Sequence, residues 1–213
     1  MAIRILVADD QDDVRGAFRI ILDSQPDMRV VAEAADGVSA VESARHVRPD
    51  VALVDIRMPG LDGLEVTRRL AGPDMADPVP VVVVTTFDLD EYVHAALRNG
   101  ACGFLLKRSS PGLLVEAVRA AVAGDSLISP SVTVRLLRHF RAPVDDGVRL
   151  TEREAAIVRV LALGRTNAEI AAELVLAPGT VKNHVAVIQR KVGASNRVGI
   201  AAWAWSAGVV RPV

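Results

Sequence analysis

The chain has 213 residues with a single cysteine; about half of the residues are apolar, about a quarter are charged, and the formal net charge is -1. This is the composition of a soluble globular protein, and no apolar run is long enough to span a bilayer, so the sequence predicts no membrane segment. The first residues do not resemble a signal peptide, and the lone Cys102 cannot form an internal disulfide, which together predict a cytoplasmic protein.

The small net charge hides an asymmetry between the two ends of the chain. Residues 149–213 carry nine cations and four anions, a net charge of +5, whereas residues 1–148 carry 16 cations and 22 anions, a net charge of -6. A basic C-terminal part favours a polyanionic partner such as nucleic acid. On charge alone, a chance imbalance is an equally good explanation.

The first half of the chain alternates short apolar runs with longer amphipathic stretches. The runs predict buried strands, and the stretches between them predict helices. Five strands alternating with five helices predict an α/β fold with a doubly wound, five-stranded parallel sheet, whose functional site lies at the carboxyl ends of the strands. The predicted strands are residues 3–8, 29–34, 51–54, 81–84 and 103–106, and the predicted helices are residues 14–24, 37–47, 63–71, 90–99 and 111–123.

Later residues predict a linker and then a second, wholly helical domain. Residues 141–147 are rich in turn-forming types, and residues 128–140 could form a helix that begins near Pro130. We therefore expect three parts: a domain over residues 1–124, a partly helical linker over residues 125–148, and a small all-α domain over residues 149–213.

Polar side chains follow four of the predicted strands. Asp9 and Asp10 follow the first strand, Asp55 the third, Thr85 ends the fourth, and Lys107 follows the fifth. Clustered carboxylates favour a hard cation such as Mg²⁺, and a lysine with a hydroxyl beside them would suit a phosphoryl group. Each residue alone has an ordinary explanation, since an Asp-Asp pair is commonly a turn or helix cap and a strand-end Thr or Lys is commonly surface. Their joint placement favours a phosphoryl-binding site.

The first 123 residues resemble the receiver domain of response regulators, which has a flavodoxin-like fold. The resemblance rests on Asp9-Asp10, on the run Val54-Asp55-Ile-Arg-Met-Pro-Gly-Leu-Asp-Gly63, on Thr85-Thr86 and on Gly100-Ala-Cys-Gly-Phe-Leu-Leu-Lys107. It implies that Asp55 is the phosphoacceptor, and that Asp10, Asp55 and the backbone carbonyl of Arg57 bind Mg²⁺ with Asp9 helping through water.

The same resemblance implies how the site would signal. Lys107 would pair with the phosphoryl oxygens, and Thr85 would hydrogen-bond them on activation. Phe104 would be the aromatic switch that packs inward when Thr85 moves. Many receivers have tyrosine at this switch and proline after the lysine, where this chain has Phe104 and Arg108.

The C-terminal part predicts a helix-turn-helix. Thr151 with Glu154, and Thr166 with Glu169, have the spacing of capping boxes that start two helices, and a short turn then leads to a third helix beginning at Pro178. At about 100° per residue, the third helix has an apolar face of Val181, Val185, Ile188 and Val192 and an outward face of Asn183, Ala186, Val187 and Arg190. Such a face suits the major groove of DNA, although an ordinary solvated helix face is the common alternative.

Residues 149–210 resemble the LuxR-type helix-turn-helix of the NarL/FixJ regulators. The shared motifs are Leu150-Thr-Glu-Arg-Glu154, Asn167-Ala-Glu-Ile-Ala171, Gly179-Thr-Val-Lys-Asn-His184, Lys191-Val-Gly193 and Asn196-Arg197. The resemblance implies binding to double-stranded DNA, with Lys182, Asn183 and Ala186 facing the bases, Thr180, His184 and Lys191 contacting phosphates, and Arg190 on the same outward face. Ala177 replaces the polar cap of many relatives, so this helix start should be poorly capped.

The last predicted helix, residues 196–207, carries Trp203 and Trp205. Two residues apart on a helix, the two rings point in nearly opposite directions, and a small domain cannot bury both. Relatives dimerise through this helix, so one tryptophan is expected at a homodimer interface. A single exposed tryptophan near the chain end is an equal alternative.

Together these features predict a two-component response regulator, in which a histidine kinase phosphorylates Asp55 and thereby controls DNA binding. One alternative is an aspartate-nucleophile phosphohydrolase, but those enzymes need a second acid two residues after the nucleophile, where this chain has Arg57. Another alternative is a regulator whose receiver no longer responds to phosphorylation, against which the intact set of Asp10, Asp55, Thr85 and Lys107 argues. We expect a regulator and not an enzyme.

Overall fold

A computed structural model of the chain describes residues 2–73, 75–86, 90–128 and 148–210. The helix expected within residues 128–140 and most of the expected linker lie outside the described residues. Across the described part, no helix combines the length and the apolar character that a membrane span requires.

A parallel sheet forms the centre of the N-terminal half. Its strand order is β2-β1-β3-β4-β5-β6, and every neighbouring pair is parallel. The five predicted strands are confirmed, and a two-residue sixth strand is added beside β5, in the segment expected to be linker. The sequence did not predict this sixth strand, because two residues are too few to show an apolar periodicity. The strands are β1 (Ile3–Ala8), β2 (Met28–Ala34), β3 (Val51–Val54), β4 (Val81–Thr85), β5 (Gly103–Leu106) and β6 (Leu127–Ile128).

Helices cover both faces of this sheet. Alternate residues of one strand enter different cores: Leu6 and Ala8 of β1 pack in one apolar cluster, and Ile5 and Val7 in another. This alternation explains why the strands are apolar along their whole length. The helices are α1 (Asp12–Asp23), α2 (Gly37–Val47), α3 (Gly63–Ala71), α4 (Asp90–Arg98) and α5 (Pro111–Ala123); α2, α3 and α4 contribute to the first cluster, and α1 and α5 to the second.

The strand order fixes where the functional site can form. The chain adds β2 on one side of β1 and β3 on the other, so the connections leave in opposite directions above β1 and β3. In open parallel sheets, this reversal leaves a crevice at the carboxyl ends of the two strands. The residues that follow β1 and β3 therefore meet there.

The C-terminal part is a separate helical domain with its own core. It contains α6 (Glu152–Ala162), α7 (Asn167–Leu174), α8 (Pro178–Lys191) and α9 (Arg197–Ser206), whose buried members include Ile157, Leu161, Ile170, Ile188 and Ile200. Both predicted capping boxes are present, at the starts of α6 and α7. The start of α8 has no side-chain cap at Ala177, as expected from the sequence.

Candidate functional site

Three carboxylates meet at the carboxyl ends of β1 and β3. Asp9 follows β1, Asp55 follows β3, and the Asp55 N–H donates to the carbonyl of Ala8 at 2.9 Å. One oxygen from each of Asp9, Asp10 and Asp55 lies within 4.8 Å of the others. Asp9 and Asp55 are buried and Asp10 is exposed, so the cluster is closed on the protein side and open toward solvent.

Lys107 brings a positive charge into this cluster. Its Nζ lies 2.7 Å from Asp9 Oδ2 and 2.8 Å from Asp55 Oδ2. The end of β5 holds it there, because the Lys107 N–H donates to the carbonyl of Thr85 at 2.9 Å. Burial acts to lower the pKa of Lys107, but the hydrogen bonds and charges of Asp55 and Asp9 outweigh it and raise that pKa. The ammonium is therefore firmly protonated.

The donor set of the cluster suits a hard cation. Asp9 Oδ1 accepts from the Gln11 N–H at 3.0 Å, whereas the buried Oδ2 has only the ion-pair contact with Lys107, without hydrogen-bond geometry, among the described residues. Burial raises the pKa of Asp9 despite the opposing effect of Lys107. A divalent cation would supply the charge that this oxygen lacks, and an all-oxygen set is what Mg²⁺ prefers. The residues therefore fit the metal.

The remaining predicted residues of this site lie around the cluster. Thr85, at the end of β4, and Phe104, in β5, are both fully buried. Phe104 thus holds the inward position here, and its movement stays a prediction. Arg57 is exposed, and its Nη2 donates to the Tyr92 hydroxyl of α4 at 3.5 Å.

Helix α8 presents the predicted outward face. Val181, Val185 and Ile188 are buried in the core of the helical domain, and Val192 packs against it. The exposed side chains on this helix include Thr180, Lys182, Asn183, Ala186 and Arg190, while His184 is half-buried.

Lys191 has a partner that the sequence analysis did not anticipate. Its Nζ lies 2.7 Å from Glu154 Oε1, so it joins the end of α8 to the start of α6. The hydrogen bond from Lys191 is the main reason that the pKa of Glu154 is lowered. A phosphate contact by Lys191 would have to share this ammonium with Glu154.

In the last helix, Trp203 is half-buried and packs against the helical core. The side chain of Trp205 lies outside the part of the chain that the structure describes. The expected tryptophan at a dimer interface stays a prediction.

Sequence reasoning missed a set of polar residues that join the two domains. Asp125, just after α5, contacts Asn167 and Arg197 of the helical domain, and the Asn196 amide donates to the carbonyls of Leu97 and Ala101 at 2.7 and 2.8 Å. Lys182, expected to face DNA bases, donates instead to the carbonyl of Val122 at the end of α5. The opposite net charges of the two halves were the only sequence signal of this contact.

Comparisons with known proteins match both halves of the chain. Residues 5–119 match the family model of the response regulator receiver domain, and residues 148–204 match that of the bacterial regulatory proteins of the luxR family. The transcriptional regulatory protein LiaR of Bacillus subtilis is 36% identical over 205 residues, covering 95% of this chain and 96% of LiaR. The oxygen regulatory protein NreC of Staphylococcus aureus is 36% identical over 203 residues, covering 91% of this chain and 93% of NreC.

Solved structures agree with this assignment. The response regulator ChrA of a heme-sensing two-component system is 36% identical, with a TM-score of 0.54 over 98% of this chain and 99% of ChrA. A complex of RcsB with DNA, 23% identical with a TM-score of 0.58 over 97% of this chain and 99% of RcsB, shares the fold. The chain belongs to the two-component response regulators that join a receiver domain to a LuxR-type DNA-binding domain, a family of transcription regulators and not of enzymes.

Proposed function

We propose that transfer of a phosphoryl group from a histidine kinase to Asp55 controls the binding of this regulator to double-stranded DNA. The observation that carries the proposal is the meeting of Asp9, Asp10, Asp55 and Lys107 at one end of the sheet. An Asp55 carboxylate oxygen would attack the phosphorus of the phosphohistidine, and the phosphorus–nitrogen bond would break. Lys107 already contacts Asp55 Oδ2, so its ammonium is in place to pair with the incoming phosphoryl oxygens.

Mg²⁺ would be held by carboxylate oxygens of Asp10 and Asp55 and by the carbonyl of Arg57, with Asp9 helping through water. When bound, it would neutralise the charge of the acids and of the phosphoryl group. Asp9 and Asp55 are fixed by backbone contacts, Asp9 through Gln11 N–H and Asp55 through Ile56 N–H at 2.7 Å. These contacts orient the two buried carboxylates before any cation arrives.

The signal would leave the site through Thr85 and Phe104. Thr85 lies at the end of β4, beside the end of β5 that carries Lys107. A hydrogen bond from the Thr85 hydroxyl to a phosphoryl oxygen would therefore pull the connection between β4 and α4 toward the site. Phe104 pairs with Val83 across the same two strands, so its side chain would change its packing when Thr85 moves. Two phosphorylated receivers would then pair as a homodimer.

The DNA-binding part would use the outward face of α8. Lys182, Asn183 and Ala186 would approach the bases, and Thr180, His184, Arg190 and Lys191 would contact the phosphates. We take residues 1–124 as the receiver, 125–148 as the linker and 149–213 as the DNA-binding domain. A regulator that binds chromosomal DNA acts in the cytoplasm.

The first test is the mass of the intact protein after incubation with acetyl phosphate and Mg²⁺, for wild type and Asp55→Asn. We expect one added phosphoryl group on wild type and none on the variant, together with a gain in affinity for duplex DNA that only wild type shows. Equal enhancement of DNA binding in Asp55→Asn would contradict the proposal. No adduct on wild type, even with a phosphorylated kinase, would favour the alternative of a receiver that has lost phosphorylation control.

A second test addresses the groove assignment. We expect Lys182→Ala to weaken DNA binding at matched ionic strength, because a cation near the DNA surface releases counterions when it binds. Arg159→Ala, a substitution of a cation on the exposed side of α6, is the matched control and should bind as wild type does. Full affinity in Lys182→Ala would exclude this lysine from the DNA surface.

A further inference from the structure

The end of α5 contacts the DNA-binding domain through several hydrogen bonds, and the DNA-binding domain supplies the donor in each of them. The Asp125 carboxylate accepts from the backbone N–H of Asn167 at 2.9 Å and from Arg197 Nη1 at 3.0 Å. The carbonyl of Ala123 accepts from Asn167 Nδ2, and the carbonyl of Val122 accepts from Lys182 Nζ, both at 3.1 Å. Every acceptor belongs to the receiver side, and every donor belongs to the DNA-binding domain.

The acceptors form an electronegative group. The last carbonyls of a helix have no partner within it, and they carry the negative end of the helix dipole. The carbonyls of Val122 and Ala123 belong to this last turn, because α5 ends at Ala123 and Gly124 turns the backbone left-handed at φ +82°. Asp125 adds a full negative charge directly after this turn.

The donors belong to three helices of the DNA-binding domain, and two of them lie at the first residue of their helix. Asn167 is the first residue of α7, Lys182 lies in the first half of α8, and Arg197 is the first residue of α9. Free N–H groups at helix starts, together with lysine and arginine, are the groups that bind DNA phosphates in protein–DNA complexes. In helix-turn-helix proteins the first helix of the motif, here α7, crosses the DNA backbone.

Arg197 contacts two neutral acceptors of its own domain and one carboxylate from the receiver side, and the charge of Glu169 in α7 also acts on it. Its side chain is 11% exposed, and it donates to the carbonyl of Arg165 and to Asn167 Oδ1, both neutral acceptors. The carboxylate that pairs with it, Asp125, comes from the receiver side and is itself 14% exposed. When the two domains separate, the guanidinium loses that carboxylate.

We propose that the Asn167 N–H and Arg197 form a DNA-phosphate binding site beside the base-facing Lys182, and that Asp125 with the last carbonyls of α5 occupies these groups as an internal anion. The proposal rests on the proposed function, since it assumes that this domain binds DNA. The receiver then restrains DNA binding through direct competition for the phosphate site, because the carboxylate and a phosphate cannot use the same donors at once. Lys182 is held in the same way, and it lines the cleft of about 970 Å³ between the domains together with Ala186 and Gln189.

The test is the affinity of the full-length, unphosphorylated protein for a mixed-sequence DNA duplex, measured by fluorescence anisotropy. We expect Asp125→Ala to bind DNA several-fold more tightly than wild type. Asp27→Ala is the matched control, since it removes the same charge from an ion pair with Arg119 inside the receiver. The control should bind as wild type does, so equal affinity of the two variants would overturn the proposal.

A second arm asks whether Arg197 contacts DNA once it is released. In the Asp125→Ala background, Arg197→Gln should lower the affinity and reduce the slope of log affinity against log salt by about one, the value for one lost phosphate contact. Tryptophan fluorescence checks that the variant is folded, because Trp203 and Trp205 both lie in α9. An unchanged slope in a folded variant would remove Arg197 from the site.

The outcomes separate this proposal from the proposed function. If Asp125→Ala has no effect but phosphorylation of Asp55 enhances DNA binding, the competition by Asp125 is wrong and the proposed function stands. If Asp125→Ala binds more tightly but phosphorylation changes nothing, the proposed phosphorylation control is wrong and the phosphate site stands. If no form binds duplex DNA, both are wrong.

Discussion

Lys107 determines the charge balance of the proposed phosphoacceptor site. Its single ammonium contacts two buried carboxylates, and Asp10 adds a third acid at the same place. The cluster therefore keeps an excess of negative charge after Lys107 is counted. This excess favours a cation, and the cation in turn lowers the repulsion that a phosphoryl group would meet.

The stability of the DNA-binding domain should depend on pH through Glu154. Hydrogen bonds from Lys191 and from the Thr151 N–H hold the pKa of Glu154 below its usual 4.5. A carboxyl with a lowered pKa in the folded state stabilises that state fully above its unfolded pKa and loses this contribution as the pH falls through the folded pKa. We expect the free energy of unfolding to fall more steeply below pH 4.5 in wild type than in Glu154→Gln.

Urea denaturation followed by tryptophan fluorescence measures this difference, because both tryptophans of the chain lie in α9. Glu173→Gln provides a control, since Glu173 is an exposed acid of α7. Parallel pH curves for wild type and Glu154→Gln would show that the ion pair with Lys191 does not contribute to stability.

Val175 is a strained residue at the end of α7. Its φ is +54°, a left-handed conformation that costs an L-residue about 1–2 kcal/mol, and its side chain is 89% exposed. We expect Val175→Gly to raise the free energy of unfolding of the DNA-binding domain by about 1 kcal/mol, because glycine relieves the strain and little packing is lost. Val175→Ala keeps the Cβ and should gain less, so chemical denaturation that ranks alanine at or above glycine would contradict the explanation.

Among the elements, α3 is the helix that fixes the backbone around Asp55. It starts at Gly63, whose N–H donates to the carbonyl of Ile56 at 2.8 Å. A Cβ at this position would lie 2.7 Å from the carbonyl carbon of Asp55 and 2.9 Å from the Cα of Ile56. The helix can approach β3 this closely only because residue 63 has no side chain.

We therefore expect Gly63→Ala to displace the backbone of Asp55 and to slow its phosphorylation by acetyl phosphate about tenfold or more, since small misplacements of reacting groups are costly. Intact mass against time gives the rate. Gly112→Ala in the first turn of α5 is the control, because a Cβ there meets no atom within 4 Å. Phosphorylation of Gly63→Ala at the wild-type rate would show that β3 can yield without moving the acceptor.

At the scale of the whole molecule, an ion pair and several neutral hydrogen bonds join the two domains. Asp125 pairs with Arg197 at one place, and Asn196 joins the DNA-binding domain to the end of α4 at another. Leu97 lies at the end of α4 and Ala101 just before β5, so this second contact is at the edge of the sheet opposite the acidic cluster.

Asn196 allows a sharp test of this arrangement. Its Nδ2 donates to the carbonyls of Leu97 and Ala101, while its Oδ1 accepts from the Gly199 N–H at 2.9 Å at the start of α9. Asn196→Asp keeps the acceptor for Gly199 but puts a carboxylate oxygen against two carbonyls, so we expect the domains to separate and the radius of gyration in small-angle X-ray scattering to increase.

Asn99→Asp is the matched control for that experiment. The Asn99 amide donates to the carbonyl of Leu64 within the receiver, so the same chemical change there leaves the contact between the domains intact. A radius of gyration that is the same for wild type, Asn196→Asp and Asn99→Asp would mean that this amide does not hold the domains together.

The sequence by itself determined the elements and the residues of the acidic cluster. The apolar periods of the strands, the capping boxes at Thr151 and Thr166 and the acids at the ends of β1 and β3 are local patterns, and the structure has them where the sequence predicted them. Parallel strands end at the same edge of a sheet, so the order of elements along the chain already implied that Asp9, Asp55 and Lys107 would meet.

Only the tertiary structure decided which residues join the two domains. Lys182 and Val122 are 60 residues apart in sequence, Arg197 and Asp125 are 72 apart, and Asn196 and Leu97 are 99 apart. No local pattern distinguishes these residues from ordinary polar surface, because their role depends on how two separately folded cores are placed against each other. For the same reason, the sequence assigned Lys182 to DNA alone, while the structure pairs it with the electronegative end of α5.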